Sequence, residues 1–295
     1  MPIRKILLTG KNGQVGWELQ RTLATLGNVI ALDRQGLDMA NPDSIRRALR
    51  EHQPQIIVNA AAYTAVDKAE QEPDLAMAIN GTAPGILAEE AKRLGAALVH
   101  YSTDYVFDGN KNAPYVEEDA PHPLNVYGKT KWAGEQAIQA AGVPHLIFRT
   151  SWVYGARGKN FLLTILRLAK ERDELRVVDD QFGAPTWSRM IAEATAQILA
   201  QQATSIAEVS GIYHMTSSGQ TSWYGFAQRI IENVSRAAPG TAPKVTPIPG
   251  SEYPTPAKRP GNSTMSNDKL NRCFGLVMPS WEAALALCMQ PEQEA

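Results

Sequence analysis

The chain has 295 residues, with 29 lysines and arginines against 30 aspartates and glutamates, for a formal net charge of -1. Its 44% hydrophobic and 20% charged residues suit a globular protein with a full core, which excludes a disordered chain, a collagen or a disulfide scaffold. A charge so near zero gives no support to a nucleic-acid partner or to a polybasic membrane role.

Cys273 and Cys288 show no CxxC pattern and read as small core residues of a reduced chain. The opening MPIRKILLTG has an apolar run too short for a signal peptide or a membrane span. A cytoplasmic protein without a membrane partner is expected.

Residues 5–9 are a short apolar strand that runs into Gly10, Gly13 and Gly16. Val15, Leu19, Leu23 and Leu26 then recur at helical spacing until Gly27, and residues 28–33 form a second strand ending in Asp33. Strand, glycine turn, helix and strand with a terminal acid is a dinucleotide-binding pattern. One glycine allows the turn, one lets the backbone approach a pyrophosphate, and one lets helix pack on strand. Asp33 suits an adenosine ribose and hence NADH, while Arg34 suits the 2'-phosphate of NADPH. The choice stays open.

Asn41-Pro42-Asp43 caps a helix to about residue 51, and residues 56–59 are a third strand leading into Ala60-Ala61-Ala62-Tyr63-Thr64. Pro73 opens a helical stretch to about Leu94, interrupted by Asn80-Gly81-Thr82. Residues 97–103 and 145–150 are the fourth and fifth strands. The alternation predicts an α/β fold, a Rossmann-like doubly wound parallel sheet, with a smaller α/β C-terminal substrate domain. Ligands bind beyond the C-terminal ends of such strands, where Gly16, Asp33, Ala62, Thr103 and Trp152 fall.

A helix from Asn125 to about Ala141 carries Tyr127 and Lys131 at i and i+4, on one face. A phenol titrates near 10, so bringing it to 7 takes about 4 kcal/mol. A lysine cation at about 4 Å contributes up to that order at an effective dielectric near 20. Lys131 is therefore expected to activate Tyr127 as an acid. Thr103 supplies a hydroxyl for the same carbonyl oxygen. Hydride donor, proton donor, tuning cation and carbonyl anchor describe reduction of a carbonyl to an alcohol. An exposed tyrosine beside a solvated lysine is the bland alternative.

TGKNGQVG, NAAAYTAVDKAE, NGT, HYSTDYVFDG, NVYGKTKWAGE, FRTSWVYG, DQFGAPT and YPTPAKRPGNS together resemble the dTDP-4-dehydrorhamnose reductases, within the extended short-chain dehydrogenase/reductases. The resemblance runs from about Ile6 to about Pro279. It implies that NADPH or NADH gives a hydride to C4 of dTDP-4-dehydro-6-deoxy-L-mannose and that Tyr127 protonates the alkoxide. Lys131 would hold the nicotinamide ribose and lower the tyrosine pKa. Gly13, Gln14 and Val15 would meet the pyrophosphate, Asp33 the adenosine, and Asp38 and Met39 the adenine. Ala62, Tyr63, Thr64 and Tyr101 would line the cofactor path, with Thr103, Asp104, Tyr127 and Trp152 at the sugar. Gln181, Arg259 and Asn262 are candidates for the nucleotide end. Related dehydratases carry Thr-Asp-Glu after strand four. Here Thr103-Asp104-Tyr105 lacks that acid.

Past Gly155 the pattern loosens. Helices are expected over 160–171, 188–199 and 222–233, the last capped by Thr221, with a strand over 175–178. The stretch from 241 to 260 holds six prolines and reads as an ordered loop or edge segment. Residues 1–155 are expected to bind the cofactor and 156–295 the substrate, with 186–215 packing back on the first part. His100 and His214 read as packed strand residues. Trp187, Trp223 and Trp281 read as core or interface. No metal is expected, although Glu18 matches one position where relatives hold a metal at a subunit contact. A homodimer is one option. A non-catalytic regulatory subunit of the same fold, and a reductase of another nucleotide 4-keto sugar, are the alternatives.

Overall fold

The computed structural model describes residues 4–202, 206–237 and 242–290. Its first half alternates strand and helix: β1 (Lys5–Thr9), α1 (Gln14–Thr22), β2 (Asn28–Leu32), α2 (Pro42–His52) and β3 (Ile56–Asn59). Two short helices follow, α3 (Val66–Ala69) and α4 (Pro73–Met77). A π-helical turn (Ala78–Thr82) then leads into α5 (Ala83–Leu94). Next come β4 (Ala97–Thr103), a 3-10 turn (Asp104–Val106), α6 (Val126–Ala141) and β5 (His145–Thr150).

The second half begins with β6 (Val153–Tyr154), α7 (Phe161–Glu171), β7 (Glu174–Val178), β8 (Phe182–Gly183) and β9 (Thr186–Trp187). It continues through α8 (Ser188–Gln201), β10 (Gly211–His214), β11 (Thr221–Ser222), α9 (Trp223–Ala237) and β12 (Lys244–Ile248). It ends in α10 (Asp268–Phe274) and α11 (Trp281–Cys288).

Six strands form one sheet in the order β10-β5-β4-β3-β1-β2, every pair parallel. Alternate side chains feed opposite faces. Ile6, Leu8, Val58 and Val99 pack with Leu19 of α1 and Ile191 and Ile198 of α8, whereas Leu7, Ile57 and Leu98 pack with Leu49 of α2, Leu87 of α5 and Ile138 of α6. This is the expected Rossmann-like, doubly wound α/β architecture. The strand order reverses between β1 and β3, which opens a crevice at their C-terminal ends.

The helix starts follow from caps. Asn41 accepts from Asp43 N and Ser44 N, Asn125 from Gly128 N, and Asn160 from Leu163 N. At α9 it is Ser222, not Thr221, whose Oγ takes the Gly225 N–H at 3.0 Å. The polar break at Asn80-Gly81-Thr82 has a packing cause. A Cβ on Gly81 would lie 2.4 Å from Met77 Sδ, and one on Gly134 of α6 would lie 2.2 Å from Asn80 O. The π turn and α6 thus approach almost backbone to backbone.

A third core packs Leu162 and Ile165 of α7, Leu175 of β7, Phe226 and Ile230 of α9, and Trp281 and Leu285 of α11. Thr241 lies outside the described residues. Beyond it, β12 pairs in parallel with β7, so the proline-rich stretch includes an edge strand. Trp281 is buried, and Trp187 and Trp223 pack partly buried against this core. The cysteines differ from expectation: Cys273 is exposed on the solvent side of α10, and Cys288 is half-buried at the end of α11. Neighbouring Leu270 and Phe274 take the inward face of that short helix instead. No helix among the described residues is long and apolar enough to cross a membrane.

Candidate active site

A cleft of about 600 Å³ opens at the β1/β3 reversal. On one wall the glycine turn delivers Gly13, Gln14 and Val15 at the N-terminus of α1, where backbone N–H groups lack helical partners. Gly10 has φ +69°, and a Cβ there would meet Ala61 N at 2.7 Å. On Gly16 a Cβ would sit 2.1 Å from Gly10 O. The turn therefore closes on itself and on the alanine segment with no room for a methyl. Gly16→Ala should move the turn and weaken dinucleotide binding at least tenfold, which a cofactor titration by fluorescence will measure.

Opposite the turn lie Ala62, Tyr63 and Thr64, fixed by Asn80. Its Oδ1 accepts the Tyr63 N–H at 2.8 Å, and its Nδ2 donates to Tyr63 O at 3.0 Å. At the far end are Asp33, Arg34, Asp38 and Met39. Asp33 pairs with Lys11 at 3.0 Å and accepts from the Gln35 and Gly36 N–H groups, and these contacts hold its carboxyl below the usual range. Asp38 caps Ala40 N through Oδ1. Tyr101 lines the cleft but turns its hydroxyl to Thr195 of α8. On the floor, Ser102 Oγ and Thr150 Oγ1 are buried with no partner. A glycine cradle at a helix N-terminus and two unpaired hydroxyls on the floor fit a dinucleotide with a polar head. Lys159 and Gly158 also line this cleft. The sequence reading passed over both, and their only signal was position just after the Trp152–Gly155 run.

Tyr127 and Lys131 both face the cleft from α6. Burial pushes the Tyr127 hydroxyl above its ordinary value, with Thr103's hydroxyl pulling the other way. The expected direct pairing of lysine with tyrosine is not what holds Lys131. Its Nζ donates to Tyr101 O at 2.6 Å and lies 3.2 Å from His100 Nε2. A buried ammonium needs acceptors for its protons, and the Tyr101 carbonyl on β4 lies nearest. Burial lowers its pKa to about 8, opposed by Glu135.

Thr103 and Asp104 lie behind the cleft. Asp104 is 2% exposed, accepts from Thr103 Oγ1 and Ser151 Oγ at 3.0 and 2.9 Å, and faces neither cavity directly. Burial pushes its carboxyl up to about 6. In this structure Asp104 orients Thr103.

Trp152 lines neither this cleft nor a second cavity, but it precedes Val153 of the cleft wall and packs on Trp223 of the second. It holds a left-handed φ of 46° and stacks on Trp223, centroids 3.5 Å apart, and a Cβ on Gly183 would meet its ring at 2.5 Å. Trp223 lines that second cavity of about 660 Å³ together with Gln181, Arg167, Arg172, Arg176 and Arg259. Arg259 bonds Tyr105 Oη and Asp67, and the Tyr105 ring meets Tyr127 edge-on at 5.7 Å. Asn262 is spent on Lys111 O and Thr264 and lines neither cavity. Glu18 pairs with Arg189. Among the described residues no group of three or more His, Cys, Asp or Glu is arranged to hold a metal.

A Rossmann-like parallel sheet, a glycine turn at its reversal point and a Tyr-x-x-x-Lys pair facing that turn define a short-chain dehydrogenase/reductase. The family model described as "RmlD substrate binding domain" matches residues 4–294. A dTDP-4-dehydrorhamnose reductase of Burkholderia thailandensis is 53% identical over 97% of this chain and 98% of its own. A crystal structure of a dTDP-4-dehydrorhamnose reductase from Clostridium acetobutylicum superposes with a TM-score of 0.90 at 40% identity, covering 97% of this chain and 98% of that one. The Bacillus anthracis dTDP-4-dehydrorhamnose reductase, solved in complex with NADP, gives 0.88 at 36% identity, covering 98% and 99%. The chain belongs to the dTDP-4-dehydrorhamnose reductase family.

Proposed function

We propose that this chain reduces the C4 keto group of dTDP-4-dehydrorhamnose to give dTDP-L-rhamnose, using NADPH or NADH. The observation that carries the reading is the glycine-cradled cleft that Tyr127 and Lys131 both face, with an arginine-lined cavity close by, linked to it through Val153 in the cleft wall and the stack of neighbouring Trp152 on Trp223. A reduced nicotinamide, when bound, supplies the hydride. Tyr127 then gives its proton to the sugar oxygen, and Thr103 would join that oxygen's hydrogen bonding by turning its hydroxyl proton from Asp104. Lys131 holds the ribose hydroxyls and stabilises the tyrosinate left behind. Gly13, Gln14 and Val15 would hold the cofactor's pyrophosphate, and Asp33, Asp38 and Met39 its adenosine end. Arg34, which lines the cleft beside Asp33, would meet a 2'-phosphate. Arg172, Arg176 and Arg259 neutralise the diphosphate of the sugar nucleotide. With a net charge of -1, binding of two anionic ligands rests on such local sources.

Residues 1–155 serve the cofactor and 156–295 the substrate in this reading, with 186–215 packed on the first part. The contact of Thr22 Oγ1 with Ala192 O, between α1 and α8, supports that division. Cytoplasmic location and a homodimer complete the proposal. Incubating the purified chain with the 4-keto sugar nucleotide and either cofactor tests it through loss of reduced-nicotinamide absorbance. No loss with either cofactor sinks the reductase and favours a non-catalytic subunit. Loss only with a different nucleotide 4-keto sugar moves the substrate.

A further inference from the structure

Beneath the cleft, four side chains from neighbouring elements touch in a row. Thr9 Oγ1 at the end of β1 lies 2.7 Å from Asn59 Oδ1 at the end of β3. Asn59 Nδ2 lies 3.0 Å from His100 Nδ1 on β4, and His100 Nε2 lies 3.2 Å from Lys131 Nζ on α6. All four residues are 1% exposed. The far end closes on the Ala61 N–H, which donates to Thr9 Oγ1 at 3.3 Å. The row therefore runs from the floor of the glycine turn to the lysine.

Hydrogen-bond valence restricts how it is wired. An ammonium only donates, and a neutral imidazole has one donor and one acceptor. Burial, with the charge of Lys131 second, holds His100 well below its ordinary value, so the ring is neutral. A charged Lys131 needs Nε2 as acceptor, which puts the ring proton on Nδ1 and requires the Asn59 amide oxygen opposite it. Half a turn of that amide supplies the oxygen and directs its nitrogen to Thr9. A neutral Lys131 gains a lone pair and so admits the opposite polarity, the one in which Thr9 and the Asn59 amide are placed. Thr9 then donates to Asn59 Oδ1, Asn59 Nδ2 donates to Nδ1, and Nε2–H donates to the lysine. Each polarity pairs every link in the row, and a mixed one opposes two donors or two acceptors.

We propose that His100 is a positioning residue for Lys131, its tautomer following the charge of the lysine through Asn59 and Thr9, so that the ammonium stays fixed at the Tyr101 carbonyl. The proposal rests on the reductase reading for the role of Lys131. Glu135, one turn along α6, favours the charged lysine and is itself paired with Arg149 of β5. Of the carboxylates on elements packed against α6, Asp74 and Glu89 are exposed to solvent, and the rest have other partners. Asp67 pairs with Arg259, Glu70 accepts the Val126 N–H, Glu72 pairs with Lys68, and Glu90 pairs with Arg50 and Arg93. Asp104 faces Tyr127 and is bonded to Thr103 and Ser151.

Histidine labelled with 15N reports the His100 tautomer in the resting enzyme through its long-range N–H couplings. Nδ1–H is expected at neutral pH, changing to Nε2–H as the pH passes about 8, where Lys131 loses its proton. A ring that keeps one tautomer throughout, or that becomes an imidazolium near 6.5, overturns the proposal whether or not turnover is found. Two variants then separate placement from packing. His100→Gln carries an oxygen where Nε2 stood and should keep kcat within about threefold, with an unchanged pH profile. His100→Asn reaches only to the Nδ1 position. It should lose about tenfold or more in kcat with an unchanged KM for the sugar nucleotide, and its alkaline limb should move to lower pH. Equal losses in both variants with unmoved pH profiles would assign His100 to packing alone.

Discussion

Tyr127→Phe should lower kcat by about 10²–10⁴-fold, the range general acid catalysis contributes, while cofactor affinity stays within about twofold. The substitution removes one oxygen and keeps the ring against Tyr105. Burial raises the Tyr127 hydroxyl above 10, so the resting enzyme carries the proton across the assay range and the acid form is loaded. Its release depends on a nearby cation. Lys131 titrates at about 8, so it is charged below that pH and neutral above it. Wild-type kcat should therefore fall as the pH rises through 8, and the residual rate of the variant should show no such limb. Stopped-flow turnover across pH 6–10 checks both, and a variant retaining more than a tenth of wild-type kcat removes Tyr127 as the proton donor.

Much of the sheet was legible because its signals are local. Lys5–Thr9 and Ile56–Asn59 are short apolar runs bounded by turn chemistry, and Asn41-Pro42 and Asn125 are caps whose oxygens do bond the first turn. The break at Asn80 was visible as a polar insertion, but its cause lies fifty residues away on α6, in the Gly134 backbone and Thr130 Oγ1. The same limit hid the partner of Lys131. Spacing placed it one turn from Tyr127, yet the nearest acceptor for a buried ammonium is a carbonyl on β4. The left-handed Trp152 carries no sequence mark, since a bulky residue avoids that region unless stacking such as that on Trp223 holds it. The helices α10 and α11 are too short for periodicity to reveal. Cys273 was assigned by residue type, whereas the face of α10 decides exposure.

The largest stability effect is expected at the pair that ties α6 to the sheet. Arg149 of β5 donates Nε and Nη2 to the two oxygens of Glu135, at 3.0 and 2.7 Å, with side chains 2% and 1% exposed. Arg149→Met leaves the carboxylate buried and uncompensated, which costs about 3–5 kcal/mol. A fold of marginal stability then loses roughly 6–15 °C in Tm. Adding Glu135→Leu removes the stranded charge, and stability should return to within about 1.5 kcal/mol of wild type, because a well-packed apolar pair replaces a desolvated ionic one. Activity should not return with it. Glu135 is the carboxylate that opposes the depression of Lys131. Without it the lysine pKa falls below 8, more of the lysine is neutral at pH 7.5, and the alkaline limb of kcat moves toward lower pH. Denaturant unfolding and a pH–kcat profile on the same double variant separate the two roles. A double variant with restored stability and a wild-type pH profile would leave the pair with an architectural role alone.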